Sequence, residues 1–295
     1  MFSEKIFTKH KNKIIILSAV LLALNFLIYR QIFSFAGHNR DLKIYFLDVG
    51  QGDSQLVILP GGVKVLIDGG PPNGKLLENL GKILPPTDRY IDLVVLSHPQ
   101  LDHFGGFIEV LKRYRVGAFL SNGRAGTISA FSELKKTIQE NKIKTVVLGL
   151  GDKIRNGESS FDVLWPTPEF ANVKELNDTA VVLELKSKNS TALFTGDIGF
   201  KIEEELIKNN PSHIDILKVA HHGSKYSSGA NFLAAIAPKI VAIGVGKNSY
   251  GHPTKEALQR LAQDGAKIYR TDQDGTVELV IDEKKIKVFK KSKSD

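Results

Sequence analysis

The chain has 295 residues, of which 42% are hydrophobic and 24% charged, so it carries enough apolar material to bury a sizeable core. It contains no cysteine, which excludes a disulfide framework and thiolate metal sites. The net charge is +8, but residues 1–13 and 282–295 contribute +3 each, so the overall charge does not by itself indicate nucleic-acid binding.

A basic stretch followed by an apolar run begins the sequence. Residues 1–13 carry four lysines, and residues 14–29 are an uncharged run of sixteen. As a helix this run spans roughly 24 Å, slightly short of the ~30 Å hydrocarbon core of a bilayer, and apolar residues up to 36 extend it. We expect a basic tail over 1–13 and a transmembrane signal anchor over 14–36; a cleaved signal peptide and a buried soluble helix are the alternatives. The lysines favour a single-pass cell-membrane protein with its main domain outside the cytoplasm.

From residue 43 onward, strand-like and helix-like segments alternate. The first half predicts strands at Ile44–Asp48, Gln55–Leu59, Val63–Asp68 and Leu93–Ser97, and helices at Lys75–Leu84, Phe107–Tyr114 and Ile128–Asn141. A middle section predicts strands at Thr145–Leu148, Phe161–Trp165, Ala180–Leu185 and Thr191–Thr195. The last part predicts helices at Phe200–Lys208, Asn231–Ala235 and Lys255–Asp264, strands at Ile214–Ala220 and Ile240–Val245, and a closing strand pair, Lys267–Arg270 and Thr276–Ile281, joined through Asp274-Gly275. This order predicts two sheets between helices in one domain over 43–282, followed by a basic tail over 283–295.

Side chains that suit metal ions follow three of the predicted strands. They are His98, Asp102 and His103 after one strand, Asp197 after a later strand, and His221-His222 after the next. Each group alone is also explained by an ordinary polar turn. Because function in α/β scaffolds gathers at strand ends, three such groups together predict a shared metal site. Neutral imidazole and carboxylate oxygen are ligands for zinc, manganese or iron.

Seven short motifs are distributed over residues 43–281. They are Phe46–Ser54, Leu66–Gly70, His98–His103, Thr195–Asp197, His221–Ser224, Tyr250–Pro253 and Tyr269–Asp272. Taken together they resemble the metallo-β-lactamase-fold hydrolases and, among them, the C-terminal domain of ComEC-type competence (DNA internalization) proteins. The resemblance implies an α/β fold, a four-layered αββα sandwich, with one or two divalent metal ions (Zn or Mn) between the sheets.

The resemblance also implies roles for individual residues. As metal ligands it implies His98 and Gln100 at a first position, Asp102 and His103 at a second, Asp197 bridging the two, and one of His221 and His222. Asp68 would orient a ligand histidine by accepting its free N–H. The implied catalytic residues are Asp102, Asp197 and His252, and the implied substrate contacts are Ser224, Lys225, Ser227, Ser228 and His252. Lys225 is equally compatible with a solvated loop lysine.

Gln100 departs from the family pattern, which has His or, in the ComEC branch, Asp at this position. An amide oxygen is a neutral and weaker ligand than imidazole or carboxylate. Three interpretations stay open: one tight metal at the Asp102/His103 position with a second bound only alongside substrate, selection of a hard metal such as manganese, or loss of activity.

The resemblance and the apolar N-terminal run together predict a membrane-anchored, metal-dependent hydrolase of phosphodiesters, a nuclease linked to DNA uptake. With one candidate span, the chain would need a separate channel protein as its partner for DNA transport. The alternatives are hydrolysis of a cell-envelope phosphoester of phosphocholine or teichoic-acid type, and a catalytically weak, membrane-tethered binding module. The basic segment 284–293 would contact DNA or anionic lipid, or be a solvated tail.

Overall fold

The computed structural model describes residues 13–30, 41–170, 173–208, 213–263, 265–283 and 285–291. The chain divides into two compact units, residues 1–41 and 42–295. In the first unit the structure describes helix α1 (Lys13–Arg30), whose 18 residues are long and apolar enough to cross a membrane. All of its side chains are exposed. The rest of the predicted basic tail and anchor, residues 1–12 and 31–36, lies outside the described residues.

The second unit consists of two β-sheets with helices packed on them. Its strands are β1 (Leu42–Phe46), β2 (Gln55–Ile58), β3 (Lys64–Ile67), β4 (Tyr90–Leu96), β5 (Arg115–Ser121), β6 (Lys144–Val147), β7 (Lys153–Asn156), β8 (Ser159–Trp165), β9 (Val182–Ser187), β10 (Ser190–Phe194), β11 (Ile216–Lys218), β12 (Ile240–Ile243), β13 (Lys267–Arg270), β14 (Thr276–Ile281) and β15 (Ile286–Lys291). Its helices are α2 (Lys75–Ile83), α3 (Leu101–Phe104), α4 (Phe107–Arg113), α5 (Ser129–Glu140), α6 (Phe200–Lys208), α7 (Ala230–Ile236), α8 (Lys255–Gln263) and α9 (Thr271–Asp274).

Both sheets mix antiparallel and parallel strands. The strand order is β15-β14-β1-β2-β3-β4-β5-β6 in the first sheet and β13-β12-β11-β10-β9-β8-β7 in the second. Strands β3 to β6 run parallel to one another, and so do β10 to β13. Parallel neighbours need crossover connections, which is why helices separate most of these strands along the chain.

Three apolar clusters give the unit its layers. Strand β1 shows the principle, since Ile44 and Phe46 face a central core shared by both sheets, whereas Tyr45 faces the outer side. Helices α2, α4 and α5 cover the outer face of the first sheet, and α6, α7 and α8 cover that of the second. The predicted four-layered αββα sandwich is therefore confirmed.

Two predicted features of the C-terminal part need correction. Strands β13 and β14 were expected to pair, but they belong to different sheets, and α9 carries the chain from one sheet to the other. The predicted tail over 283–295 contains β15, which pairs antiparallel with β14. In β15, Ile286 and Val288 pack against the central core with Lys287 between them, so a strand in which three of six residues are lysine still has one apolar face. The folded unit thus extends beyond residue 282; residues 292–295 lie outside the described residues.

Candidate metal centre

The site lies at the edge where strands of both sheets end. Asp68 follows β3, and His98 and His103 follow β4; Asp197 follows β10, and His222 follows β11. Because β3 and β4 are parallel neighbours, as are β10 and β11, their carboxyl ends share an edge in each sheet. The structure therefore brings together residues from all three groups that the sequence singled out.

Four buried side chains form the centre of the site. Within the described residues they are Asp53, His103, Asp197 and His222, and one ligand atom of each lies within 4.8 Å of those of the other three. The sequence prediction did not include Asp53, which lies in the turn before β2. Gly52 makes that turn possible, because its φ of +148° suits glycine and a Cβ there would collide with the Asp102 carbonyl oxygen.

Hydrogen bonds fix the ring orientation of both histidines in the cluster. His103 donates from Nδ1 to a carboxylate oxygen of Asp68 at 2.9 Å. His222 donates from Nδ1 to the carbonyl oxygen of Gly244 at 2.7 Å. Their Nε2 atoms face the Asp197 carboxylate at 3.2 and 3.6 Å and have no hydrogen-bond partner within the described chain. Facing lone pairs repel unless a cation lies between them, so this donor set fits a divalent metal ion.

The charge balance of the site also favours a cation. Burial opposes protonation of His103, but the carboxylates of Asp197 and Asp68 outweigh it and raise the pKa of the imidazole well above its usual value. In the metal-free protein, a proton on His103 therefore supplies part of the positive charge that a metal ion would bring. Metal binding has to displace that proton, so the affinity for metal falls as the pH is lowered.

Asp68 organises the wall of the site that follows β4. It accepts hydrogen bonds from the backbone N–H and the hydroxyl of Ser97, at 2.8 and 2.7 Å, besides the one from His103. Since the Ser97 hydroxyl donates to Asp68, its oxygen is free to accept from Nδ1 of His98, 3.0 Å away. Burial and the nearby His103 lower the pKa of His98 to about 4, so this imidazole is neutral near pH 7 with an Nε2 lone pair available.

Gln100 lies beside the four-residue centre, in the lining of the cavity there. Its amide nitrogen donates to the side-chain oxygen of Asn177 at 2.5 Å, and both residues line a cavity of about 400 Å³ beside the centre. Because the amide nitrogen does not ligate metal ions, the one ligand atom that Gln100 could offer is its side-chain oxygen, a neutral and weak donor. Of the two residues expected at the first metal position, His98 and Gln100, only His98 offers an imidazole.

The structure separates the two adjacent histidines by their surroundings. Both line the cavity, but His222 is 2% exposed and faces Asp197, whereas His221 is only partly buried and contacts the ring of His252. Both His221 and His222 have left-handed backbone conformations, with φ of 50° and 53°, and non-glycine residues rarely adopt these except under functional or packing constraint. Asp102 lies 3.4 Å from Nε2 of His222 at the mouth of the cavity. Of the two adjacent histidines, His222 is the one whose ring nitrogen belongs to the candidate ligand cluster.

A buried lysine accompanies Asp53. The ammonium group of Lys218 contacts the Asp53 carboxylate, donates to the Gly196 carbonyl at 2.7 Å and lies 3.6 Å from Asp197. Lys218 is 1% exposed, and Gly244 leaves room for Asp53, since a Cβ there would collide with its carboxylate. Lys218 comes from β11 in the second sheet and Asp53 from the first, so the pair joins the two sheets at the site.

The predicted substrate contacts after His222 divide into two groups. Ser227 is fully buried and its hydroxyl donates to the carbonyls of Ala220 and Ser224, at 2.9 and 3.2 Å. Because that hydroxyl already satisfies backbone oxygens, Ser227 is corrected from a substrate contact to a loop residue, and buried Ser228 is likewise inaccessible. Ser224, Lys225 and His252 do line a second cavity, of about 560 Å³.

Comparison with known proteins identifies the family of the chain. A profile of the Metallo-beta-lactamase superfamily matches residues 47–247. ComE operon protein 3 of Bacillus subtilis is 30% identical over 254 residues, which make up 80% of this chain and 32% of that protein. Competence protein ComA of Neisseria gonorrhoeae is 29% identical over 264 residues, 88% of this chain and 35% of that protein. The chain thus spans about a third of the length of these curated relatives.

Solved structures share the fold. YhfI of Bacillus subtilis, a metallo-beta-lactamase fold protein, aligns with a TM-score of 0.57 at 13% identity, over 81% of this chain and 99% of that one. Igni18, a metallo hydrolase from Ignicoccus hospitalis, aligns with a TM-score of 0.53 at 17% identity, over 81% and 98%. At such identities the likeness establishes the fold alone. Since the profile spans well over half of the sequence and the two sheets meet at the edge that holds its ligand-type residues, the chain belongs to the metallo-β-lactamase superfamily.

Proposed function

We propose that this chain is a metal-dependent phosphodiesterase that cleaves DNA at a membrane. The observation that carries the proposal is the convergence of the Nε2 atoms of His103 and His222 with the Asp197 carboxylate beside an open cavity of about 400 Å³. In such a site, zinc or manganese supplies polarisation of a phosphoryl oxygen and a lower pKa for water. The surrounding side chains then hold the substrate and handle its protons.

The cavity residues divide these tasks by their charge. Burial opposes ionisation of Asp102, but contact with His222 and the charge of His103 outweigh it and hold the pKa of Asp102 at about 2. A carboxylate with so low a pKa is a poor proton acceptor, so we assign Asp102, 3.4 Å from Nε2 of His222, to the ligand set instead. Burial and the neighbouring His221 lower the pKa of His252, which is then neutral near pH 7. A neutral imidazole beside the cavity can accept a proton from water or return one to the leaving oxygen.

One tightly held metal ion is expected. Its ligands would be His103, Asp197, His222 and Asp102, with Lys218 neutralising the remaining carboxylate of Asp53. A second ion would have His98 and weak amide ligands, and would bind only when a substrate oxygen completes its shell. This arrangement favours the single-metal interpretation of Gln100 over loss of activity.

The substrate and location follow from the relatives and from α1. The curated relatives are named for competence and recombination, which suggests DNA as the phosphodiester. Helix α1 has the length and composition of a membrane span and would anchor the catalytic domain on the extracytoplasmic side. DNA transport would then require a separate channel protein as partner.

Metal content and a substrate panel test the proposal. The full chain, purified in detergent, should hold about one divalent ion by plasma mass spectrometry, and Asp197→Asn should hold none. With added manganese it should cleave linear DNA and bis(p-nitrophenyl) phosphate, and Asp197→Asn should cleave neither. Asp152→Asn, at an exposed loop carboxylate, is the matched control and should retain both properties.

Each failure has a distinct meaning. Absence of bound metal together with absence of manganese-stimulated hydrolysis would refute the enzyme and leave a binding module. Turnover of small esters with DNA intact would refute the nuclease. Preference for a phosphocholine or teichoic-acid ester would assign the same centre to a cell-envelope substrate.

A further inference from the structure

Two exposed tyrosines stand beside the catalytic cavity. Tyr250 is 73% exposed and Tyr226 64% exposed, and both line the second cavity, of about 560 Å³. That cavity shares His221, Tyr250 and His252 with the cavity at the metal centre, so the two adjoin at these residues. Large aromatic rings left in water next to a reaction site indicate a surface that a ligand covers.

The loop of Tyr226 is held rigidly from beneath. The guanidinium of Arg260, on α8, donates to the backbone carbonyls of Lys225, Ser227 and Ser228 at 3.0, 2.8 and 2.8 Å. Three hydrogen bonds from one planar group fix the backbone on either side of Tyr226. The ring is thus exposed while its backbone is fixed.

The loop of Tyr250 is fixed by a different side chain. The Asn248 oxygen accepts the backbone N–H groups of Tyr250 and His252, both at 3.1 Å. Its nitrogen donates to the carbonyls of Gly246 and His252, both at 2.8 Å. Both tyrosines are therefore presented on pre-organised loops, so little loop entropy is lost when a ligand binds them.

A row of rings leads from the metal centre to Tyr250. Ring centroids are 6.2 Å apart from His222 to His221, 5.5 Å from His221 to His252, and 5.8 Å from His252 to Tyr250. The planes of His252 and Tyr250 are tilted by only 32°. The two pairs nearer the metal centre meet edge to face, at 73° and 79°, so the faces of His252 and Tyr250 are the ones that a flat ring attached to the reacting phosphodiester could contact.

The charges around the second cavity favour a ligand with a negative charge over a cationic one. The Lys225 ammonium lies 5.0 Å from the Tyr226 ring centroid, and Lys255 also lines the cavity, against the single carboxylate of Glu256. A quaternary ammonium such as choline would be repelled by the two lysines. A nucleotide unites a flat base, which stacks on tyrosine, with a phosphate, which lysine attracts.

We infer that Tyr250 and Tyr226 form a base-stacking subsite for the nucleotide adjoining the cleaved phosphodiester, with single-stranded DNA as the ligand. The inference rests on the proposed phosphodiesterase function, because it assigns the substrate of that same centre. Stacking needs an unpaired base, so the subsite selects single-stranded over double-stranded DNA.

Binding tests the subsite without turnover. The full chain is mixed with a short oligodeoxynucleotide that has phosphorothioate linkages and one 2-aminopurine, whose fluorescence is quenched on stacking. Tyr250→Leu removes the aromatic face and keeps an apolar side chain, and we expect its affinity to fall about tenfold with loss of quenching. Tyr250→Phe should keep both. Phe289→Leu, at a 49% exposed aromatic on β15, is the control and should bind like the wild type.

Hydrolysis separates failure of the subsite from failure of the proposed function. The substrates are the p-nitrophenyl ester of thymidine 5′-phosphate and methyl p-nitrophenyl phosphate, which has no base. We expect Tyr250→Leu to lower kcat/KM for the thymidine ester several-fold more than for the methyl ester, mainly through KM. Equal losses, or unchanged quenching in Tyr250→Leu, would overturn the subsite. Hydrolysis of neither ester by the wild type would overturn the phosphodiesterase. Tighter binding of phosphocholine than of thymidine 5′-phosphate would overturn the choice of nucleotide.

Discussion

Replacing Lys218 by Met should destabilise the metal-free protein strongly. The substitution keeps the length of the side chain but removes an ammonium that contacts Asp53 and lies 3.6 Å from Asp197, in a site that is almost fully buried. Asp53 and Asp197 then lose their shared ammonium partner in the interior, and the protonated His103 beside Asp197 is left to offset their charge.

The size of the effect follows from charge and distance. Two unit charges 3.6 Å apart interact by about 5 kcal/mol at an effective dielectric constant of about 20. Asp53 can relieve part of the loss by binding a proton, because burial, opposed by Lys218, already raises its pKa. We therefore expect a loss of about 3–5 kcal/mol in the free energy of unfolding, as when one partner of a buried ion pair is removed. The double substitution Asp53→Leu with Lys218→Met should recover most of that loss.

Urea unfolding with EDTA present measures these values, and Trp165, the one tryptophan, reports on the second sheet. Lys239→Met is the control, because Lys239 pairs with Asp215 at 2.7 Å but is itself 65% exposed, so we expect a loss of at most about 1 kcal/mol. Manganese should raise the melting temperature of Lys218→Met more than that of the wild type, since the ion replaces the lost charge. The reasoning is refuted if Lys218→Met is no less stable than Lys239→Met, or if the double variant is no more stable than Lys218→Met.

The residues around the centre give three more measurable outcomes. Asp68→Asn should weaken metal binding about 10- to 100-fold in competition with a chelating dye, because the amide no longer holds His103 in one tautomer. His222→Ala should abolish the bound metal seen by mass spectrometry whereas His221→Ala should not; equal loss in both would contradict the assignment of His222. Burial raises the pKa of Glu203 from 4.5 to about 7. Glu203 thus binds a proton more tightly in the folded protein than in the unfolded chain. The free energy of unfolding should therefore fall by about 3 kcal/mol as the pH rises from 4.5 to 7. Glu203→Gln should flatten this part of the pH profile of stability, and an unchanged slope would show that Glu203 is not its cause.

Much of the fold could be predicted because its strands are short apolar runs that end in polar residues. The run before His98 and the run before Asp197 are buried strands, and their ends meet at one edge as the pattern predicted. Strand β15 could not be found in the same way, because half of its residues are lysines and it lacks an apolar run. The short alternation of Ile286 and Val288 with Lys285 and Lys287 is what indicates it.

The partners of the metal centre were harder to predict. Lysines in short strands usually face solvent, so Lys218 gave little indication of a site. The alternation of side chains along β11 does indicate the direction of Lys218. Ile216 faces the central core, so Lys218, two residues later, must face the same way. Asp53 was hidden within a glycine-rich motif whose turn, rather than its carboxylate, attracts notice.

Two other points depend on contacts between distant parts of the sequence. Gln100 and Asn177 are 77 residues apart, and no local pattern predicts that their amides bond to each other. The choice between His221 and His222 depends on which imidazole can reach the Gly244 carbonyl. Adjacent residues of the same type have the same local pattern, so only the three-dimensional structure distinguishes them.

The ion pair between Lys218 and Asp53 bears on when this protein acquires its metal. In small zinc domains metal binding drives folding, so the metal-free chain is unfolded. Here an ammonium supplied by the second sheet already joins it to the first where the ion would bind. We therefore expect the chain to complete its fold in a compartment with little free metal and to be loaded later, by whatever ion is then abundant. Cellular supply rather than folding would set the timing of its activation.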